Sequence, residues 1–230
     1  PSFIEIADLP HADLVSKLQQ NSVRDAILNE VDEPVNPNII FDGMTRMVQS
    51  MLHRLYPLGE IPDYEPDPSR SFVEIAKSNN ATPEEVLYDY MLKDEGHAMG
   101  MMPIFNYVDG NHDVIREMLL HPQAVSGLSD GGAHCGMICD ASIPTFMLSH
   151  WTRDRTRGEK LPLEWIIKKQ TLDTASLYGL SDRGSLKVGK RADLNVIDYE
   201  ALTLHGPKMA HDLPAGGRRL LQEATGYDYT

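Results

Sequence analysis

Ser129-Asp130-Gly131-Gly132-Ala133-His134 is the stretch of this chain best equipped for chemistry. It follows the apolar run Ala124-Val125-Ser126-Gly127-Leu128, which has the length of a buried strand. A carboxylate at the carboxyl end of a buried parallel strand, followed by a flexible loop, is where α/β barrels place catalytic groups. Gly131 and Gly132 would let backbone approach a ligand closely. Read locally, Ser-Asp-Gly-Gly is also a good turn, and the turn is its commoner use.

The flanking elements must position that carboxylate. Residues 97–108, between Gly96 and Asp109-Gly110, read as a buried strand ending near Pro103 with a loop beyond. Asn111-His112-Asp113 opens a helix carrying Val114, Ile115, Met118 and Leu119. Strand, helix and the strand at 124–128 form a βαβ pattern, which predicts parallel pairing. After the acidic turn, Asp140-Ala141-Ser142-Ile143-Pro144 begins a helix with Phe146, Met147, His150 and Trp151. The tract Thr152 to Lys160 alternates in charge and reads as a solvated, self-paired loop. An Arg within it could instead grip a substrate carboxylate with its fork. A long helix runs from Leu161 to Tyr178 and stops at Gly179.

Upstream, residues 1–56 read as helices: one from Asp8-Leu9-Pro10, one over 23–31, and one carrying Phe41, Met44, Met47, Val48, Met51, Leu52 and Leu55 at helical spacing. That methionine-rich stripe reads as core. Residues 57–69 are a proline-rich connector. Ser69 or Ser71 can cap the helix that follows it. Thr82-Pro83-Glu84-Glu85 has the capping Thr, the first-turn Pro and the Glu three residues after the cap that open a helix. From Ser181 the pattern turns to β, with a strand, turn and strand over 183–198, and 199–225 reads as irregular.

The chain has 230 residues, with 21 Lys plus Arg against 34 Asp plus Glu, a net charge of −13. That argues against nucleic acid, which needs a basic face. No run is long enough to span a bilayer, and no membrane partner is expected. Two cysteines, Cys135 and Cys139, exclude a disulfide framework and point to a reducing, cytoplasmic setting. The chain opens on Pro1 and stops on a β-prone run, so the expectation is a portion of a longer protein.

The segment Gly127 to His134 resembles the last barrel-strand motif of metal-dependent amidohydrolases. Within them it is most similar to the D-aminoacylase branch, the N-acyl-D-amino-acid deacylases. The likeness continues through Cys139-Asp140-Ala141-Ser142, through His150 to Gly158, through Leu161-Pro162-Leu163-Glu164, through Gly184 to Asp198, and through Asp212 to Arg218. It implies an α/β fold: the carboxyl-terminal part of a TIM-like (β/α) barrel, with a helical insertion, over 1–180, and part of a small β-sandwich over 181–230.

The resemblance also implies zinc as cofactor and an N-acyl amino acid or related amide as the small-molecule partner. Asp130 would be the metal-side carboxylate that moves the proton. Gly131, Gly132, His134 and Asn106 would meet the substrate. The family's His-x-His pair is missing. The nine histidines (11, 53, 97, 112, 121, 134, 150, 205 and 211) contain no such pair. A catalytic zinc takes about three protein ligands, so this stretch alone is expected to bind zinc poorly and to be inactive by itself. Exposed barrel edges would favour a homo-oligomer. Two alternatives stand beside this reading: another amidohydrolase of the dihydroorotase or hydantoinase kind, and a non-catalytic binding module that keeps the fold.

Overall fold

The computed structural model describes residues 2–31, 50–127, 129 and 136–230. It divides into two compact units, one of residues 1–58 with 66–110 and the other of 59–65 with 111–230. Residues 181–230 therefore group with 111–180.

The first unit is built from short capped helices and one strand pair. Helices α1 (His11–Leu18) and α2 (Asn21–Leu28) open it. Helix α3 (Phe72–Asn79) starts where the Ser71 hydroxyl accepts from the Glu74 N–H at 3.4 Å, and stops at Asn80 in the left-handed conformation. Helix α4 (Pro83–Met91) starts with the expected capping box. Thr82 Oγ1 accepts from the Glu85 N–H at 3.2 Å, and the Glu85 carboxylate accepts from the Thr82 N–H at 2.8 Å. These bonds satisfy two of the four amides that a helix start leaves without partners. The core of this unit is Leu52, Leu55 and Phe72, packed by Val73, Val86, Leu87 and Tyr90. Of the methionine-rich stripe, positions up to 49 lie outside the described residues, and Leu52–Arg54 forms a single 3-10 turn.

Strand β1 (Tyr56–Leu58) pairs with β2 (Met99–Met101), Tyr56 opposite Met101, and the pair is antiparallel. This corrects the expectation of parallel pairing between 97–103 and 124–128. Residues 124–127 make no ladder. Two of their carbonyls accept from side chains instead: Lys169 Nζ donates to the Ala124 carbonyl, and Thr174 Oγ1 donates to the Ser126 carbonyl at 3.3 Å.

The second unit centres on two interrupted helices. Helix α5 (Asp113–Leu120) comes first. Helix α6 (Ile143–Ser149) then runs directly into a π-helical turn over His150–Asp154. Helix α7 (Leu163–Lys168) likewise passes through a π turn, Lys169–Asp173, into α8 (Thr174–Leu177). Met147, Trp151, Leu161 and Ile166 form the core between them. Among the described residues, no helix is long and apolar enough to cross a membrane.

The remaining strands are short antiparallel pairs. Val196–Ile197 (β3) pairs with Tyr227–Tyr229 (β8), and Thr203–Leu204 (β4) with Ala224–Thr225 (β7). Lys208–Leu213 (β5) and Gly217–Leu221 (β6) form a hairpin. Only Val196–Ile197 of the expected 183–198 strands forms; Leu186 and Val188 are exposed and lie in no strand. The hairpin lies where irregular chain was expected. Pro214 and Gly216 make its turn, with positive φ at Ala215 and Gly216, rather than breaking a strand. The mixture of helices and strands is compatible with an α/β fold.

Candidate functional site: a buried carboxylate, two histidines and a guanidinium

Four polar side chains converge inside the second unit. Glu65 lies within the connector, where its N–H donates to Asp63 Oδ1 at 3.0 Å. His112 immediately precedes α5. His150 opens the π turn that continues α6, and Arg155 follows that turn. The turn carries Trp151 and Arg155 onto one side, so the Arg155 guanidinium lies over the indole, 4.9 Å from its centroid. Relative exposures are 2% for Glu65, 7% for His112 and 1% for Arg155. Burial at this depth demands that each charge be paired.

The pairing is dense. Arg155 Nε donates to Glu65 Oε2 at 2.9 Å, and Nη2 donates to Oε1 at 2.8 Å. Nη2 also reaches Asp113 Oδ1 at 2.7 Å, and Nη1 donates to the Glu159 carbonyl at 2.8 Å. The His112 backbone N–H donates to Glu65 Oε1 at 2.7 Å. His150 Nε2 lies 3.2 Å from Oε2, and His112 Nδ1 lies 4.0 Å from it. The rings are packed as well. His150 stacks on Phe146, with centroids 4.6 Å apart and planes 12° from parallel. His112 stacks on Trp151 at 5.8 Å.

These contacts set the protonation states. Burial pushes the Glu65 carboxyl pKa up, but hydrogen bonds from His150, Arg155 and the His112 backbone outweigh it and hold the group well below the carboxylate range. Burial pushes His112 down to about 4, against the opposing pull of Glu65. At neutral pH the cluster holds an ionised Glu65, a charged Arg155 and a neutral His112.

The ligand atoms of Glu65, His112 and His150 all lie within 4.8 Å of one another, so by composition and spacing the trio could hold a metal ion. Two histidines and a glutamate also form a known catalytic zinc set. A catalytic metal needs an open position for water or substrate, and this group is closed. Two of its members are buried, and a guanidinium already forks onto the carboxylate. As folded, the trio does not fit a catalytic metal, and it is not given one below.

None of these four residues was singled out as a site in the sequence. The tract at 152–160 was expected to be a solvated loop, and this is corrected: Arg155 is among the most buried residues, and Arg153 Nη2 donates to the Leu202 carbonyl at 2.6 Å. Arg155 does grip a carboxylate, but the protein's own. The available signal was the i, i+4 spacing of Trp151 and Arg155, which places a cation over an aromatic face if the helix continues.

Asp130, Gly131, Gly132 and His134 lie outside the described residues. Ser129, the neighbour of Asp130, borders a hollow lined by Ser126, Ile143, Pro144, Met147 and Thr174. Asn106 is exposed, in a left-handed backbone conformation five residues past β2, and belongs to the first unit.

Comparison with curated proteins and with solved structures gave no match. A family model does match, over residues 87–225, more than half of the chain. The matched span includes His112, Asp130, His150 and Arg155, and the family is that described as Amidohydrolase family. The chain belongs to the amidohydrolase family.

Proposed function

We propose that this chain serves a metal-dependent amidohydrolase of the D-aminoacylase kind, which cleaves the amide bond of N-acyl-D-amino acids. The observation that carries the reading is the family match across the Asp130 segment, together with the motif likeness from Gly127 to Gly158. On this reading residues 1–180 contribute to a (β/α) barrel and 181–230 to a β-sandwich. A zinc ion held beside Asp130 in the full-length protein would supply electrophilic activation of the carbonyl and of water.

Asp130 does the proton transfer. Its carboxylate takes a proton from water as the oxygen attacks the amide carbon. It then delivers that proton to the nitrogen as the carbon–nitrogen bond breaks, so that a neutral amine leaves. Such transfer typically contributes about 10²–10⁴-fold. Gly131 and Gly132 let the loop lie against the substrate, while His134 and Asn106 contact it.

The test is hydrolysis of paired N-acyl-D- and N-acyl-L-amino acids, dihydropyrimidines and hydantoins by the full-length protein. Release of free D-amino acid, lost in Asp130→Asn with metal content unchanged, is the expected result. Ring opening without deacylation would move the protein to the cyclic-amide branch. An active Asp130→Asn would remove the proton-transfer role, and no turnover of any amide would favour a binding module.

A further inference from the structure

A trio of Glu65, His112 and His150 in a family of this kind invites a metal centre. The hydrogen bonds assign the place of the cation to something else. A carboxylate has about four acceptor positions. Three of those on Glu65 accept from Arg155 Nε, Arg155 Nη2 and the His112 N–H at 2.9, 2.8 and 2.7 Å, and His150 Nε2 lies 3.2 Å from Oε2.

The guanidinium is itself built in. The Arg155 side chain is fully buried, with its fork on Glu65, one nitrogen shared with Asp113 and another on the Glu159 carbonyl. Trp151 lies against the guanidinium. The Gly158 backbone lies so close that an added Cβ would fall 2.5 Å from Nη2 and 2.6 Å from Cζ. A side chain gripped in this way cannot swing aside for an incoming ion. A dication at Glu65 Oε2 would sit beside a fixed positive charge at low dielectric, where like charges repel strongly.

We infer that Arg155 is the resident cation of this cluster: its guanidinium stands where a divalent metal would, and Glu65, His112 and His150 become a metal-ligand set only when Arg155 is removed. The inference stands apart from the proposed reaction, because it concerns residues that the reaction does not use.

The experiment is a zinc titration followed by calorimetry and elemental analysis at pH 7.5, on the wild-type chain, His150→Gln, Arg155→Met and the double variant Arg155→Met/Glu65→Gln. Wild type and His150→Gln are expected to take up the same amount of zinc. Arg155→Met is expected to gain one zinc per chain and a higher melting temperature with zinc, and both gains should vanish in the double variant. Zinc bound by wild type and lost in His150→Gln would overturn the inference, as would an Arg155→Met chain that folds and gains none. His150→Gln keeps the Glu65–Arg155 pair, so that arm decides the matter for wild type even if Arg155→Met does not fold.

Discussion

Arg155 and Glu65, 90 residues apart in the chain, meet through two parallel hydrogen bonds of 2.9 and 2.8 Å inside a buried cluster. The pair joins the connector to the segment that follows the π turn after α6. Removing one partner of such a pair leaves an uncompensated buried charge, and the usual loss is about 3–5 kcal/mol. Arg155→Met is therefore expected to lower the unfolding free energy by that amount in zinc-free buffer. Arg155→Lys should recover only part, because an ammonium cannot present the planar fork. A loss under about 1 kcal/mol in Arg155→Met would show that the pair contributes little.

His112 makes stability depend on pH. Its folded pKa is lowered to about 4 from 6.5. Between those values the unfolded chain binds a proton that the folded chain refuses, so stability falls as pH drops through this window. The 2.5-unit gap corresponds to roughly 3 kcal/mol at most. Glu65, whose folded pKa is depressed, contributes stability that is present above the ordinary carboxylate pKa and lost only as pH falls below it. Urea denaturation at pH 7 and pH 5 separates the two. Wild type should lose more stability than His112→Asn between these points, and equal losses would count against the buried neutral histidine.

Gly158 is expected to matter through its missing side chain. A Cβ there would meet Arg155 Nη2 at 2.5 Å and Nη1 at 2.7 Å. Gly158→Ala should cost about 1–3 kcal/mol, the usual range for overpacking a filled site. In an Arg155→Met background the same change should cost much less. A double-mutant cycle measures this coupling, and additive losses would mean that the crowding is relieved elsewhere.

The capping box at the start of α4 is a separate and smaller test. Thr82→Ala removes the acceptor for the Glu85 N–H. A loss of about 1 kcal/mol is expected, with faster amide exchange in the first turn of α4 and unchanged exchange in α6. Uniform acceleration throughout the chain would mean that the cap governs global rather than local stability.

For catalysis, Asp130→Asn in the full-length protein should lower kcat by about 10²-fold or more with zinc content intact. The amide keeps the size of the side chain and removes the proton acceptor. A fall in metal content in parallel with kcat would assign Asp130 to holding the metal rather than to moving the proton.

Local signals were legible where a few adjacent residues decide the outcome. The Ser71 cap, the Thr82–Glu85 capping box, the helix after Asn111-His112 and the Gly179 stop all sit where the side-chain chemistry placed them. The family could likewise be read from motif order between Gly127 and Arg218, and the match over 87–225 agrees. The βαβ pairing was not legible. Apolar length alone does not say whether a neighbouring strand or the side chains of Lys169 and Thr174 will take the carbonyls of 124–126.

The sequence by itself therefore determined the helix starts at Ser71, Thr82 and His112, the stop at Gly179, the acidic charge and the amidohydrolase family, because each rests on nearest-neighbour chemistry or on motif order. Tertiary structure alone decided that Arg155, in a tract of alternating charge, is buried. It also decided that Glu65, in a proline-rich connector, is that arginine's partner. The physical reason is distance along the chain: a charge can be buried only beside its counter-charge, and here the two lie 90 residues apart.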